Sequence, residues 1–306
     1  MARSIYNEEI KATGLNTDDR MLVEFGFART VGKTQFSPID DIADYAQSSQ
    51  DNIPDLENGS VNRGDFHKNF LMMYAMTGRP IPRDPRIIKN NQVFVSAYNA
   101  FIDKNLSAVY KIWQSGRWDV KYPIELVILA EAMADEQDPT FLQLNQGVMN
   151  YWPDTSQALL ARYYWRKGDT EHAVKALEKA IHGFKNNAWN YDVIIRHTLD
   201  LAKEISQQDP QESGKKIFQL LLEPFSVNIA LEYQHAVLLG ISQMLGPQYG
   251  VQALEKLEPH IPWTEPVLRY RVQCYRETGN SLLNRAENDL QRFLQNEPEP
   301  FAKGNL

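Results

Sequence analysis

The sequence contains one cysteine, Cys274, among its 306 residues. A single cysteine cannot form an internal disulfide, and it excludes a zinc site built from several cysteines. This scarcity is typical of proteins that fold in a reducing compartment. We interpret Cys274 as a small residue of the core.

Long apolar runs and an excess of positive charge are also missing. No apolar run reaches about 18 residues, and the first residues lack the apolar core of a signal peptide. We therefore expect a cytoplasmic protein, and recruitment to the inner membrane through a partner is left open. The net charge is −7 and the pI is near 5.5. Because phosphate recognition depends on clustered Lys and Arg, nucleic acid is not an expected partner.

The sequence also lacks recognisable catalytic and metal-binding motifs. The six histidines include no pair at the three- or four-residue spacing of a helical metal site. Five residues separate Gly26 from Gly32-Lys33, whereas a phosphate-binding loop has about four there. We predict no catalytic residues, no metal site and no cofactor, and we interpret this chain alone as non-catalytic.

The most informative stretch that is present runs from Asp154 to Asn187. Gly168-Asp169 divides it into two amphipathic segments, which predicts a helical hairpin. Each segment alternates small and large apolar residues on one face: Leu160, Ala161 and Tyr164 on the first, and Ala173, Leu177 and Ala180 on the second. Such alternation lets two helices approach closely, because ridges on one settle into grooves on the other.

These residues and their spacing resemble a tetratricopeptide (TPR) repeat, a helical hairpin of about 34 residues. The stretch lacks the signature Trp, the aromatic residue of the second helix and the terminal Pro. Similar pairs of segments are predicted on both sides of it: 93–102 with 106–114, 123–134 with 139–151, 191–207 with 211–222, 227–245 with 248–257, and 266–278 with 281–295. The resemblance implies an all-α fold, a TPR-like superhelical solenoid of helical hairpins.

The N-terminal residues carry a second resemblance. The words LNTDDRMLVEFGFAR, Leu15 to Arg29, are similar to the closing segment of long bacterial spermidine-synthase-like proteins, which have a Rossmann-like methyltransferase fold. Some members of that group continue into TPR-like helices. The resemblance implies a short irregular or α/β segment at the N-terminus, and it implies that nucleoside and polyamine sites lie outside this chain. Asp18 and Asp19 are then turn or capping residues.

Together these patterns predict four parts. Residues 1–35 are the spermidine-synthase-like remnant, 36–90 a linker with packing helices, 91–298 the TPR-like solenoid and 299–306 a tail.

The TPR resemblance also implies a peptide-binding groove along the first helices of the hairpins. Its groove positions fall on Thr155, Ala158, Arg162, Trp165 and Arg166 in the central hairpin, and on Pro266, Arg269, Gln273, Arg276 and Glu277 in the last one. Arginine and tryptophan often dominate protein interfaces, so Arg162, Trp165, Arg166, Arg269 and Arg276 are the candidate partner-binding residues.

The sequence therefore predicts a scaffold that binds a protein or peptide partner, with a catalytic or membrane-bound protein among the candidates. Two alternatives remain open. In the first, the chain is an accessory domain or subunit of a spermidine-synthase-like or methyltransferase-like enzyme whose active site lies elsewhere. In the second, a small ligand binds between the helix layers. The arginines and aromatics of Arg162 to Arg166 also fit a helix with solvated arginines and packed rings.

Overall fold

The computed structural model describes residues 91–187, 190–225 and 230–296, with Leu71, Ala75, Met76, Gly78, Pro80 and Ile81 before them. These residues form α-helices with short connections, and no β-strand occurs among them. The predicted all-α class is therefore confirmed for this part of the chain. The predicted remnant 1–35, most of the linker 36–90 and the tail 299–306 lie outside the described residues.

The described helices are α1 (Gln92–Ile102), α2 (Leu106–Gln114), α3 (Pro123–Asp135), α4 (Phe141–Tyr151), α5 (Pro153–Arg166), α6 (Thr170–Asn186), α7 (Asp192–Gln208), α8 (Lys215–Leu221), α9 (Leu231–Leu245), α10 (Pro247–Glu255), α11 (Glu265–Thr278) and α12 (Leu283–Asn296). A π-helical turn, Pro210–Gly214, leads into α8. Where the helix boundaries predicted from the sequence fall on described residues, they are confirmed to within about one turn. The predicted start at residue 227 lies outside the described residues.

Short polar residues and glycines set the helix ends, as helix capping requires. The Asp169 side chain accepts a hydrogen bond from the backbone N–H of His172 at the start of α6. Asp209 accepts from the N–H groups of Glu212 and Ser213 at the π-helical turn. Gly279 ends α11 in the left-handed conformation, with φ of 68°, which a residue with a Cβ rarely adopts. The predicted division of the central hairpin at Gly168-Asp169 is thus confirmed.

The described chain forms two compact units, and the boundary between Tyr151 and Trp152 falls inside the stretch predicted as one solenoid. The first unit runs to Tyr151 and takes in Tyr191–Val193. In its core, the hydroxyl groups of Tyr98 and Tyr191 both donate to the backbone carbonyl of Ala75, at 2.9 and 2.7 Å. The ring of Phe101 stacks on Tyr191, with 6.2 Å between the ring centroids.

The second unit contains α5, α6, α8–α12 and α7 from Ile194 onward. We call α5, α7, α9 and α11 the first helices of its hairpins, and α6, α8, α10 and α12 the second helices. An ion pair and hydrogen bonds join neighbouring first helices to each other. Arg166 on α5 pairs with Glu204 on α7, Tyr233 on α9 donates to Asp200 on α7, and the Ser242 and Tyr270 hydroxyls of α9 and α11 lie 3.0 Å apart.

The second helices α6, α8 and α10 also contact one another in chain order. Lys216 on α8 forms an ion pair of 2.6 Å with Glu178 on α6. The ring of Phe218 on α8 packs edge-on against Tyr249 on α10, with centroids 5.2 Å apart. The first three hairpins of the second unit therefore contact one another through both of their helices.

Candidate functional site

The first helices α7, α9 and α11 each bury one side and expose another. Their exposed side chains, which we call the first-helix face, are Arg196, Lys203, Gln207, Gln208, Glu232, Ala236, Gln243, Pro266, Arg269, Gln273, Arg276 and Glu277. Half-exposed residues such as Asp200, Glu204 and Tyr233 border them. Apart from Ala236 and Pro266, every member carries a polar or charged group.

Contacts with neighbouring first helices flank the exposed sides of α7 and α9 on both sides, and that of α11 on one side. On α7, Glu204 bonds to α5, while the end of the Lys203 side chain lies beside Gly240 on α9. On α9, Ser242 meets Tyr270 on α11. Because these contacts lie on the two flanks of the helices, and apolar side chains such as Leu238 are buried behind them, the exposed sides all lie on one side of this helix layer.

The predicted residues of α5 lie elsewhere. Arg162 is only 9% exposed and donates to the backbone carbonyl of His197 at 3.4 Å. Trp165 is 8% exposed, and its indole N–H donates to Glu204 Oε1 at 2.8 Å. Thr155 and Ala158 are buried too. The central hairpin therefore does not expose the predicted groove, because these side chains join α5 to its neighbours instead.

Arg166 is half-buried and completes this connection. Its Nη1 donates to Glu204 Oε1 at 2.6 Å, and its Nη2 donates to Oε2 at 3.4 Å. Burial raises the pKa of the Glu204 carboxyl, but hydrogen bonds from Arg166 and Trp165 more than offset this, so the pKa lies below its usual value. Glu204 therefore stays ionised and holds α5 and α7 together.

We expect the Glu204→Gln variant to lose less stability on acidification than the parent. A carboxyl with a depressed pKa in the folded state stabilises the protein above its unfolded pKa, about 4.5 for Glu, and loses this contribution as the pH falls through the folded value. The amide of Gln cannot titrate, so part of the acid-dependent loss below about pH 4.5 disappears. Urea unfolding between pH 7 and 3 measures the free energy of unfolding of the parent and the variant. The same dependence of this free energy on pH in both proteins would contradict the prediction.

The predicted residues of α11 do lie on the first-helix face. The side chains of Arg269 and Arg276 are 58% and 63% exposed. Arg269 Nε donates to Glu265 at 2.7 Å, and Arg276 Nη2 donates to Glu287 at 2.8 Å. Exposed ion pairs of this kind contribute about 0–1 kcal/mol, so a partner's carboxylate can replace the internal one at little cost.

Sequence reasoning missed the part of the face that lies on α7 and α9, because the repeat length drifts there. The glycines that follow the helices give a signal by which α9 can be aligned with α11. When Gly246 after α9 is aligned with Gly279 after α11, Ala236 and Gln243 match the positions of Arg269 and Arg276. The exposure of all four residues agrees with that alignment.

Two groups with catalytic potential in the second unit, the Cys274 thiol and the Tyr270 hydroxyl, are not activated. Cys274 is buried, and burial raises the pKa of its thiol, which disfavours the reactive thiolate. Burial likewise raises the pKa of the Tyr270 hydroxyl beside it. Across the described residues, no group of three His, Cys, Asp or Glu side chains is placed to hold a metal ion.

Comparison with protein-family models, with curated proteins and with solved structures finds no match to this chain. In the part of the chain that the structure describes, no helix combines the length and the apolar character needed to cross a membrane.

Proposed function

We propose that the chain is a TPR-like helical solenoid without catalytic activity of its own, which binds a polypeptide partner through its first-helix face. The observation that carries this proposal is the exposure of all five predicted groove positions on α11: Pro266, Arg269, Gln273, Arg276 and Glu277. If this side of α11 packed against another helix, several of these positions would be buried, as they are on α5.

The stacking of hairpins in the second unit supports the solenoid part of the proposal. First helices bond to first helices, and second helices pack on second helices, which is the arrangement of helical repeats. Such a layer presents a continuous row of first-helix side chains to a partner. The face on α7, α9 and α11 spans three neighbouring first helices, so one partner segment can contact all of them.

The chemistry of the face supports a polypeptide as the ligand. It combines cations on α7 and α11 with amides on all three helices, and Glu232 and Glu277 balance part of the positive charge. Exposed arginines can bond to backbone carbonyls and carboxylates in a fork geometry. The face therefore carries a moderate excess of positive charge, which favours a partner segment with carboxylates.

We expect the double variant Arg269→Glu and Arg276→Glu to lose the partner that the parent chain captures from a lysate of its own cells. The substitutions reverse two charges on α11, at one end of the face, and a loss of at least about tenfold in capture is expected for two interface arginines. Quantitative mass spectrometry of the captured proteins measures this change.

The matched control is Arg285→Glu with Arg292→Glu, because both arginines are exposed on the second helix α12. It changes the net charge equally but leaves the first-helix face intact. Equal capture by all three proteins, with unchanged circular dichroism, would rule out this face as the binding surface.

The enzyme-associated alternative remains a prediction. It depends on residues 15–29, which lie outside the described part of the chain, and none of the described contacts favours it.

A further inference from the structure

The first unit contains a cavity of about 450 Å³ between α2, α3 and α4. Leu129 and Met133 on α3 form its floor, and each is only 2% exposed. Half-buried side chains such as Trp113 on α2 and Leu144 on α4 form its walls, and the exposed Gln143 lies at its mouth. Exposure therefore rises from the floor to the mouth, as it does in a pocket that a ligand enters from solvent.

The cavity runs along the hairpin of α3 and α4. Leu126 on α3 and Gly147 on α4 line one end of it. Met133 and Thr140, near the turn between the two helices, line the other end. Seven residues of helix separate Leu126 from Met133, which corresponds to about 10 Å. The cavity thus has room for a small, elongated molecule that lies along the hairpin.

Contacts at both ends set the shape of this cavity. A Cβ on Gly147 would lie 3.0 Å from Leu126 Cδ2, so the lack of a side chain there lets α4 approach α3 closely. At the other end, Asp138 Oδ2 accepts a hydrogen bond from the Tyr110 hydroxyl of α2 at 2.6 Å. Its Oδ1 accepts from the backbone N–H and the hydroxyl of Thr140 at 2.8 and 2.6 Å. These bonds tie α2 to the start of α4, so the fold itself forms the cavity.

The chemistry of the cavity favours an uncharged aromatic molecule. The described residues that line it carry no charge, so a buried ionic group would lack a partner there. The ring of Trp113 lies against that of Tyr110, with 5.6 Å between the centroids, and gives one wall an aromatic surface. Polar groups lie at the mouth. The Gln143 amide can donate and accept, and the Thr140 hydroxyl, which donates to Asp138, can still accept.

We propose that this cavity binds an uncharged aromatic small molecule, with its rings along Leu129 and Met133 and one polar group bonded to Gln143. The volume lies in the range of about 300–1,000 Å³ that is usual for small-molecule sites. Met133 is unbranched and flexible, so the floor can adjust to the shape of the rings. The inference does not rest on the proposed function, because the cavity lies in the first unit and the first-helix face in the second.

The test uses two probes, 1-naphthol and naphthalene, which differ by one hydroxyl group. Equilibrium dialysis against the full chain measures the affinity of each, and we expect the parent to bind one molecule of 1-naphthol per chain. In the Gln143→Leu variant, the affinity for 1-naphthol should fall about two- to tenfold relative to that for naphthalene, because one neutral hydrogen bond is lost. The control is Gln146→Leu, an exposed glutamine of α4 that does not line the cavity.

A second variant, Leu144→Trp, fills the cavity. We expect it to bind both probes at least about tenfold more weakly, because the larger side chain takes up the space that the rings need. The matched control is Leu142→Trp, since Leu142 lies on the same helix, is 44% exposed and does not line the cavity. If circular dichroism shows that Leu144→Trp does not fold, Gln143→Trp at the exposed mouth replaces it, with Gln146→Trp as its control.

The outcomes test this inference separately from the proposed function. If the parent does not bind 1-naphthol, or if the folded tryptophan variant of the cavity binds both probes as the parent does, the inference is overturned. An unchanged preference between the probes in Gln143→Leu overturns the contact with Gln143. If Gln143→Trp loses the captured partner while probe binding persists, the cavity is part of a protein interface and the small-molecule inference is wrong. The Arg269→Glu, Arg276→Glu variant should bind both probes as the parent does, whatever its effect on partner capture.

Discussion

Replacing Arg271 by methionine is expected to lower the free energy of unfolding by roughly 3–5 kcal/mol. Arg271 lies in the second unit, and its charged side chain is only 1% exposed. Its Nη2 donates to Glu258 Oε1 at 2.5 Å, and its Nη1 donates to Asp289 Oδ2 at 2.8 Å. Removing the guanidinium leaves two largely buried carboxylates close together without a cation, which is costly.

The network of Arg271 joins three elements. Glu258 lies in the connection after α10, Arg271 on α11 and Asp289 on α12. The guanidinium also lies over the ring of Tyr275, 5.4 Å from its centroid, and the Tyr275 hydroxyl donates to Glu258 at 3.3 Å. Loss of the arginine therefore loosens the packing of α12 on α11 and the path of the chain into α11.

Urea unfolding at neutral pH, followed by circular dichroism, measures the effect. The control is Arg269→Met, an exposed arginine two residues away, for which we expect a change within about 0.5 kcal/mol. Should Arg271→Met fail to fold, the variant that also carries Glu258→Gln and Asp289→Asn removes the unpaired charges and should recover part of the stability. Similar losses for Arg271→Met and Arg269→Met would show that the buried network contributes nothing.

Gly183→Ala is the second substitution with a large expected effect, a loss of roughly 1–3 kcal/mol. A Cβ on Gly183 would lie 2.0 Å from Oδ1, 2.2 Å from Cγ and 2.7 Å from Cβ of Asp154. Asp154 cannot simply turn away, because it accepts hydrogen bonds from Asn187 and Asn190 at 3.1 and 3.2 Å. The new methyl group would therefore push α5 and α6 apart.

Gly240→Ala is the matched comparison, since Gly240 also lies inside a helix. Its new Cβ would meet only the flexible end of Lys203, at 3.5 Å or more. We expect this variant to gain about 0.5–1 kcal/mol, because alanine restricts the unfolded chain and favours the helix. Thermal unfolding of the parent and the two variants measures whether each substitution lowers or raises the stability. A neutral Gly183→Ala would mean that α5 and α6 pack less closely than described.

The helices themselves could be predicted because their signals are local. Apolar periodicity marks the segments, and residues such as Asp169, Gly168 and Gly279 mark the ends. The Arg271 network could not be predicted, since it joins residues of three elements whose register only packing determines. Nothing in the local sequence of Glu258 or Asp289 indicates a shared arginine.

The candidate site was predictable only where the hairpin keeps the ideal repeat. On α11 the repeat positions correctly indicate exposed residues such as Arg269 and Gln273. On α5 the same positions are buried or half-buried, because Trp165, Arg162 and Arg166 bond to α7. Sequence spacing gives the side of a helix, whereas burial depends on which other helix covers that side.

The most direct test of partner binding at the first-helix face is site-specific photo-crosslinking. A benzophenone amino acid replaces Ala236, which is exposed on α9 between the flanking first helices, and, in a second protein, Gln252, which is exposed on the second helix α10. We predict that the captured partner becomes crosslinked from position 236 and not from position 252. Crosslinking from position 252 alone would contradict the first-helix face as the binding surface.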